Sequence, residues 1–193
     1  FGRMFSYTSI GTLIYFGENE MIREEPLRIE KTDLDFSFFK NEKPLILDRD
    51  ISVLILPSFT QKDAFHNGTI EVFSYLQEKI SPEDVELFST DEDYKELALH
   101  SRSHWLGVFL VTSIIAPTFT GVIGDYISNE LQAKKGDEVD FSIIIEKKNE
   151  SNILVSYRGD AEKVNEVLNT VKELSKDEKR NEPDRCIESP PVK

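Results

Sequence analysis

The stretch from Trp105 to Gly124, WLGVFLVTSIIAPTFTGVIG, holds no ionisable side chain, although 31% of the chain is Asp, Glu, Lys or Arg. Such a run belongs either in the hydrocarbon of a bilayer or in the interior of a protein. As one helix it would extend roughly 30 Å, which matches a bilayer core. Its Leu, Ile, Val and Phe residues would contribute on the order of −3 to −6 kcal/mol to insertion, before Pro117, the glycines and the hydroxyl residues reduce that figure. Arg102 on one side, with Asp125 and Glu130 on the other, would keep the amino end of such a span in the cytosol. Residues 105–124 as a single membrane span is therefore one reading.

The residues that follow favour an interior. Phe119, Val122, Ile123, Tyr126, Ile127 and Leu131 fall on one helical face, while Thr118, Asp125, Ser128 and Asn129 fall on the opposite one. Pro117 suits the first turn of a helix better than the middle of a span, because its ring discourages continuation from Ala116. The expectation is a helix over 117–131, preceded by a long helix that starts at Thr90. There Asp91, Glu92 and Asp93 would complement the exposed amides of the first turn. Leu97, Ser101, His104, Val108, Val111 and Ile115 then recur at spacings of three and four.

The flanking segments read mainly as strands in the first half. Tyr7–Phe16 and Met21–Arg23 flank Gly17-Glu18-Asn19 as a hairpin, and Leu27–Glu30 and Leu34–Phe38 alternate apolar with polar residues. Ile51–Leu56 is almost continuously apolar and predicts a central strand covered on both faces. Asn67 would cap a helix carrying Val72, Phe73, Leu76 and Ile80, ended by Ser81-Pro82. Val139–Ile145 and Ile153–Tyr157 form a hairpin by every local cue. Arg158-Gly159-Asp160 turns the chain into a helix with Val164, Val167, Leu168 and Val171 inward. The fold class is α+β: an N-terminal mostly β portion, a helical middle, and a C-terminal β-hairpin followed by a helix. The expected division is 1–135, a β-β-α unit over 136–175, and a charged tail over 176–193. The first two parts share one core or form two lobes meeting near Gly136.

Charge and motifs narrow the chemistry. A net charge of −13 argues against nucleic acid, whose phosphates need clustered Lys and Arg. The acids of Glu83–Glu96 read as a solvated face. The lone Cys186 allows no intrachain disulfide and points to a reducing, cytoplasmic setting. Glu96, His100 and His104 recur every fourth residue. On a helix they would present a carboxylate and two imidazoles to one metal, with His66 able to complete the set. Gly121-Val122-Ile123-Gly124 lacks the pattern of a phosphate loop, Arg158-Gly159-Asp160 has a complete local role as turn and cap, and no nucleophile elbow is present. No cofactor is expected.

By elimination, the chain reads as an acidic, non-catalytic protein-interaction or regulatory module. It would bind another protein, or a second copy of itself, through Phe119, Val122, Ile123, Tyr126 and Ile127 or through the edge of its C-terminal hairpin. The membrane span and a metal-dependent enzyme using Glu96, His100 and His104 stand as the alternatives.

Overall fold

A computed structural model describes residues 25–59, 64–97, 104–148 and 150–176. The hairpin expected over 7–23, His100, Asn149, Cys186 and the tail beyond 176 lie outside these residues.

Two long strands organise the chain. β6 (His104–Thr112) and β7 (Glu138–Glu146) pair in parallel, and both are buried through their middles. Neither shows the alternation of a half-wet strand, because each is covered on both faces. On one side β6 receives β2 (Val53–Leu56) antiparallel, and β2 carries β4 (Val85–Leu87) parallel to it. On the other side β7 turns into β8 (Asn152–Asp160), which pairs antiparallel with β1 (Leu27–Thr32). The six-stranded order is β1-β8-β7-β6-β2-β4, and β3 (Phe65–His66) pairs separately with β5 (Glu96–Leu97). Since β6 and β7 pair across Gly136, the residues on either side of that glycine share one sheet.

Helices cover one face of the sheet. α2 (Thr69–Lys79), α3 (Ala116–Asp125) and α4 (Val164–Leu174) bury Val72, Leu76, Phe119, Ile123, Val167 and Val171 against Phe109, Phe141, Ile143 and Tyr157. The second face is closed in part by α1 (Phe36–Glu42) and the segment that follows, with Phe39, Leu47 and Ile51 on Leu54, Leu110 and Ile144. The class is α+β, with β1 the first and α4 the last of the described elements and helices also in the middle.

Several elements follow from local sequence as expected. β2 is fully buried, and β7, β8 and α4 form the β-β-α unit. Asp160 Oδ1 accepts from the Glu162 N–H at 2.9 Å and starts a 3-10 turn, Ala161–Lys163, that leads into α4. Pro117 sits in the first turn of α3.

Other expectations are corrected. The long helix from Thr90 is absent. The Thr90 hydroxyl accepts from the Asp93 N–H at 3.3 Å, but the cap closes only a turn, and 104–112 is strand. Gly107 at φ 120, with a register shift between Trp105 and Gly107, makes a β-bulge that an α-helix could not contain. The uncharged stretch is therefore half strand and half helix. No helix among the described residues is long and apolar enough to cross a membrane.

Leu34–Phe38 is not a strand. Asp35 Oδ1 accepts from the Phe38 N–H at 2.6 Å and starts α1, an N-cap outweighing a short alternation. α2 begins at Gly68, whose φ of 86 suits glycine, and not at Asn67. Finally, Arg158-Gly159-Asp160 belongs to β8 itself. Gly159 lacks a Cβ there because the Tyr157 ring occupies that space.

Candidate functional site

The helix face expected to meet a partner is already occupied. Phe119, Ile123, Tyr126 and Ile127 are buried in the chain's own core, and Val122 is partly buried against it. The two-sidedness read from sequence is real, since Thr118, Asp125, Ser128 and Asn129 are exposed. A widened π-helical turn over Tyr126–Glu130, closed by the Leu131 N–H to the Tyr126 carbonyl at 3.1 Å, lets adjacent Tyr126 and Ile127 both point inward. That face holds the α-layer to the sheet.

The expected metal trio does not share a helix. Glu96 lies in β5 and His104 opens β6, while His100 is outside the described residues. Glu96 Oε1 accepts a 2.6 Å hydrogen bond from the Tyr94 hydroxyl, which with burial holds that phenol well above its ordinary range. His104 Nε2 faces the Asp137 carboxylate at 3.8 Å. Among the described residues no three His, Cys, Asp or Glu side chains are grouped to hold a metal ion.

The structure does gather a polar cluster that spacing gave no means to find. Parallel pairing sets Trp105 beside Asp140, and antiparallel pairing sets Asp140 beside Arg158. The Arg158 guanidinium lies 5.5 Å from the Trp105 ring centroid, with Nε 2.9 Å from Glu138 and 3.9 Å from Asp140. His66 meets Trp105 with centroids 4.8 Å apart, and burial pushes its imidazole below the ordinary value, which favours the uncharged ring. His66 Nδ1 and Trp105 Nε1 are enclosed without a hydrogen-bond partner among the described residues. The contact of His66 with Trp105 fastens β3 to β6.

What remains accessible is the sheet's edges. The expected edge of the C-terminal hairpin is covered on both sides, β7 by β6 and β8 by β1, so the edges among the described residues are β4 and β1. Asp84 and Phe88 bond toward β2, which turns the backbone groups of Val85 and Leu87 outward. Three of these four groups are engaged: the Val85 carbonyl accepts from Gln77 Nε2 at 3.4 Å, the Leu87 N–H donates to Glu86 Oε1 at 3.0 Å, and the Leu87 carbonyl accepts from the Ser89 N–H at 2.7 Å. A strand edge largely closed by local hydrogen bonds resists pairing with another chain.

β1 is different. The Arg158 N–H donates to the Pro26 carbonyl at 2.8 Å. By antiparallel alternation Arg28, Glu30 and Thr32 then bond to β8, while Leu27, Ile29 and Lys31 present their backbone groups outward. No hydrogen bond engages those outward groups among the described residues. Ile29 is 46% exposed at this edge. Sequence showed Leu27–Glu30 as a strand, but which strands flank it depends on residues more than a hundred positions away.

Comparison with known proteins gives no further guide: no family model, curated protein or solved structure matches the chain.

Proposed function

We propose that this chain is an acidic protein-interaction module that takes an extended strand along β1. The observation that carries the reading is the contrast between the two edges: β4 is largely closed by Gln77, Glu86 and Ser89, whereas among the described residues Leu27, Ile29 and Lys31 keep outward donors and acceptors open. Strand addition draws its affinity from such groups, each bond contributing about 0.5–1.5 kcal/mol net, and its specificity from alternate side chains. The half-exposed Ile29 supplies an apolar contact on one face, and Arg28 and Glu30 supply charge on the other. The Arg28 and Glu30 side chains, which flank Ile29, supply the local charges that select the match.

A photo-crosslinking residue introduced at Ile29, compared in source cells with one at the exposed Asn169 of α4, tests this. Discrete adducts from position 29 that are missing from position 169 are expected. The same adducts from both positions, or none from either, refute strand addition at β1.

A further inference from the structure

We propose that the strand received by β1 is β1 of a second copy of this chain, in a two-fold dimer centred on Ile29; the proposal rests on the strand-addition reading above. The argument begins with the order Leu27-Arg28-Ile29-Glu30-Lys31. Opposite charges stand one residue either side of Ile29, and both side chains lie on the sheet face carrying Ser156 and Leu154, their register partners on β8. Turned end for end about Ile29, this strand is complementary to itself.

The backbone chooses the same axis. Leu27, Ile29 and Lys31 are the residues with outward groups, so an antiparallel copy centred on Ile29 forms mutual hydrogen bonds between the two Ile29 residues. It forms further mutual pairs between Leu27 and the partner's Lys31, and the reverse. In this register Arg28 lies directly opposite the partner's Glu30, and Glu30 opposite the partner's Arg28. These are close, non-hydrogen-bonded positions where opposite charges stabilise and like charges destabilise. Moving the axis by one residue places Arg28 against the partner's Arg28, or Glu30 against the partner's Glu30. Register is thus selected by charge as well as by hydrogen bonding.

The remaining side chains fit the same pairing. On the helix-layer face, Ile29, 46% exposed, meets the partner's Ile29, and Leu27 lies under the aliphatic stem of the partner's Lys31. In the free chain Arg28 and Glu30 pair with each other at 2.6 Å on the surface; in the dimer the same four groups form a cross-strand ladder. Charged residues on an edge strand usually deter pairing. Here their mirrored order deters foreign strands and mismatched registers while admitting a second copy. The result is a continuous twelve-stranded sheet with an isologous, closed interface.

Sedimentation velocity of the full chain over a wide concentration series tests the dimer. A reversible shift from one chain mass toward two is expected. Arg28→Glu and Glu30→Arg each reverse two facing pairs, and each should weaken association about tenfold or more, whereas R28E/E30R should recover most of the loss because the swapped charges again face their opposites. Ile29→Pro removes an outward N–H that the monomer does not use, so it should abolish the dimer while leaving the circular dichroism spectrum and thermal melt nearly unchanged.

A chain that stays monomeric throughout, or a dimer indifferent to Arg28→Glu, Glu30→Arg and Ile29→Pro, overturns the proposal. The crosslink from position 29 separates this from the parent reading. An adduct of two chains supports the dimer, an adduct with a different protein overturns it but leaves strand addition standing, and an intrachain adduct to residues 1–24 overturns both.

Discussion

Replacing Gly159 with alanine should destabilise the chain, and the cost follows from a contact in β8. A Cβ at that position would lie 2.7 Å from Tyr157 Oη, 3.0 Å from Tyr157 Cζ and 3.2 Å from Pro26 Cβ. The Tyr157 ring is buried, and its hydroxyl donates to the Asp160 carbonyl at 2.7 Å, so the ring cannot swing aside without losing that bond. Overpacking at such a site costs about 1–3 kcal/mol, and disturbing the hydrogen bond costs about 1 more. Reduced freedom of the unfolded chain returns about 0.4–1 kcal/mol. The net is about 2 kcal/mol, or roughly 4–8 °C in Tm for a body of this size.

Urea unfolding followed by the fluorescence of Trp105, the single tryptophan, measures the effect directly. Gly121→Ala is the matched control, because a Cβ there meets nothing within 4 Å and α3 should gain about 0.5–1 kcal/mol. Tyr157→Phe removes the Oη contact, so Gly159→Ala should cost at least about 1 kcal/mol less in the Y157F background. An unchanged cost there, or a Gly159→Ala protein as stable as the parent, refutes the idea that Tyr157 dictates this glycine.

Two pH effects follow from groups partly or wholly withdrawn from water. Glu146 accepts from the Phe36 N–H at 3.1 Å, and burial, with Asp35 nearby, raises its carboxyl above the ordinary value. The native state therefore holds this proton more tightly than the unfolded state, and the group's contribution falls as pH rises from about 4.5 through the native value. Glu146→Gln keeps an acceptor for Phe36, so its stability relative to the parent should be higher at pH 7 than at pH 4 in urea titrations. A difference independent of pH contradicts this. His66 has the opposite sense: its lowered native value means the unfolded state gains the proton first, so stability falls as pH drops from about 6.5 to the native value. His66→Phe, which keeps a ring beside Trp105, should flatten the stability slope between pH 7 and pH 5, and an unaltered slope counts against a buried neutral imidazole.

The parts of the fold legible in sequence are those decided by neighbours a few residues away. β7, β8 and α4 could be read because short apolar runs, a polar turn, the Asp160 cap and the stripe Val164, Val167, Leu168 and Val171 are local signals. β2 could be read because an apolar run ended by a proline fits a strand covered on both faces. The same logic misled at 104–112. With both faces buried, β6 has no period of its own, and the spacing of Leu97, His104, Val108 and Val111 matched a helix by accident. The β-branched and aromatic content of HWLGVFLVT and its internal glycine were the available counter-signals.

For the candidate site, sequence alone determined the strand Leu27–Glu30, its mirrored charges around Ile29, and the helical face from Phe119 to Ile127. Tertiary structure decided what those features face. It turned the helix inward onto Phe109 and Phe141, covered both sides of the C-terminal hairpin, engaged β4 with Gln77 and Glu86, and left β1 outermost among the described strands. The physical reason is that periodicity records which residues avoid water, whereas an edge exists only where strand pairing between distant segments stops.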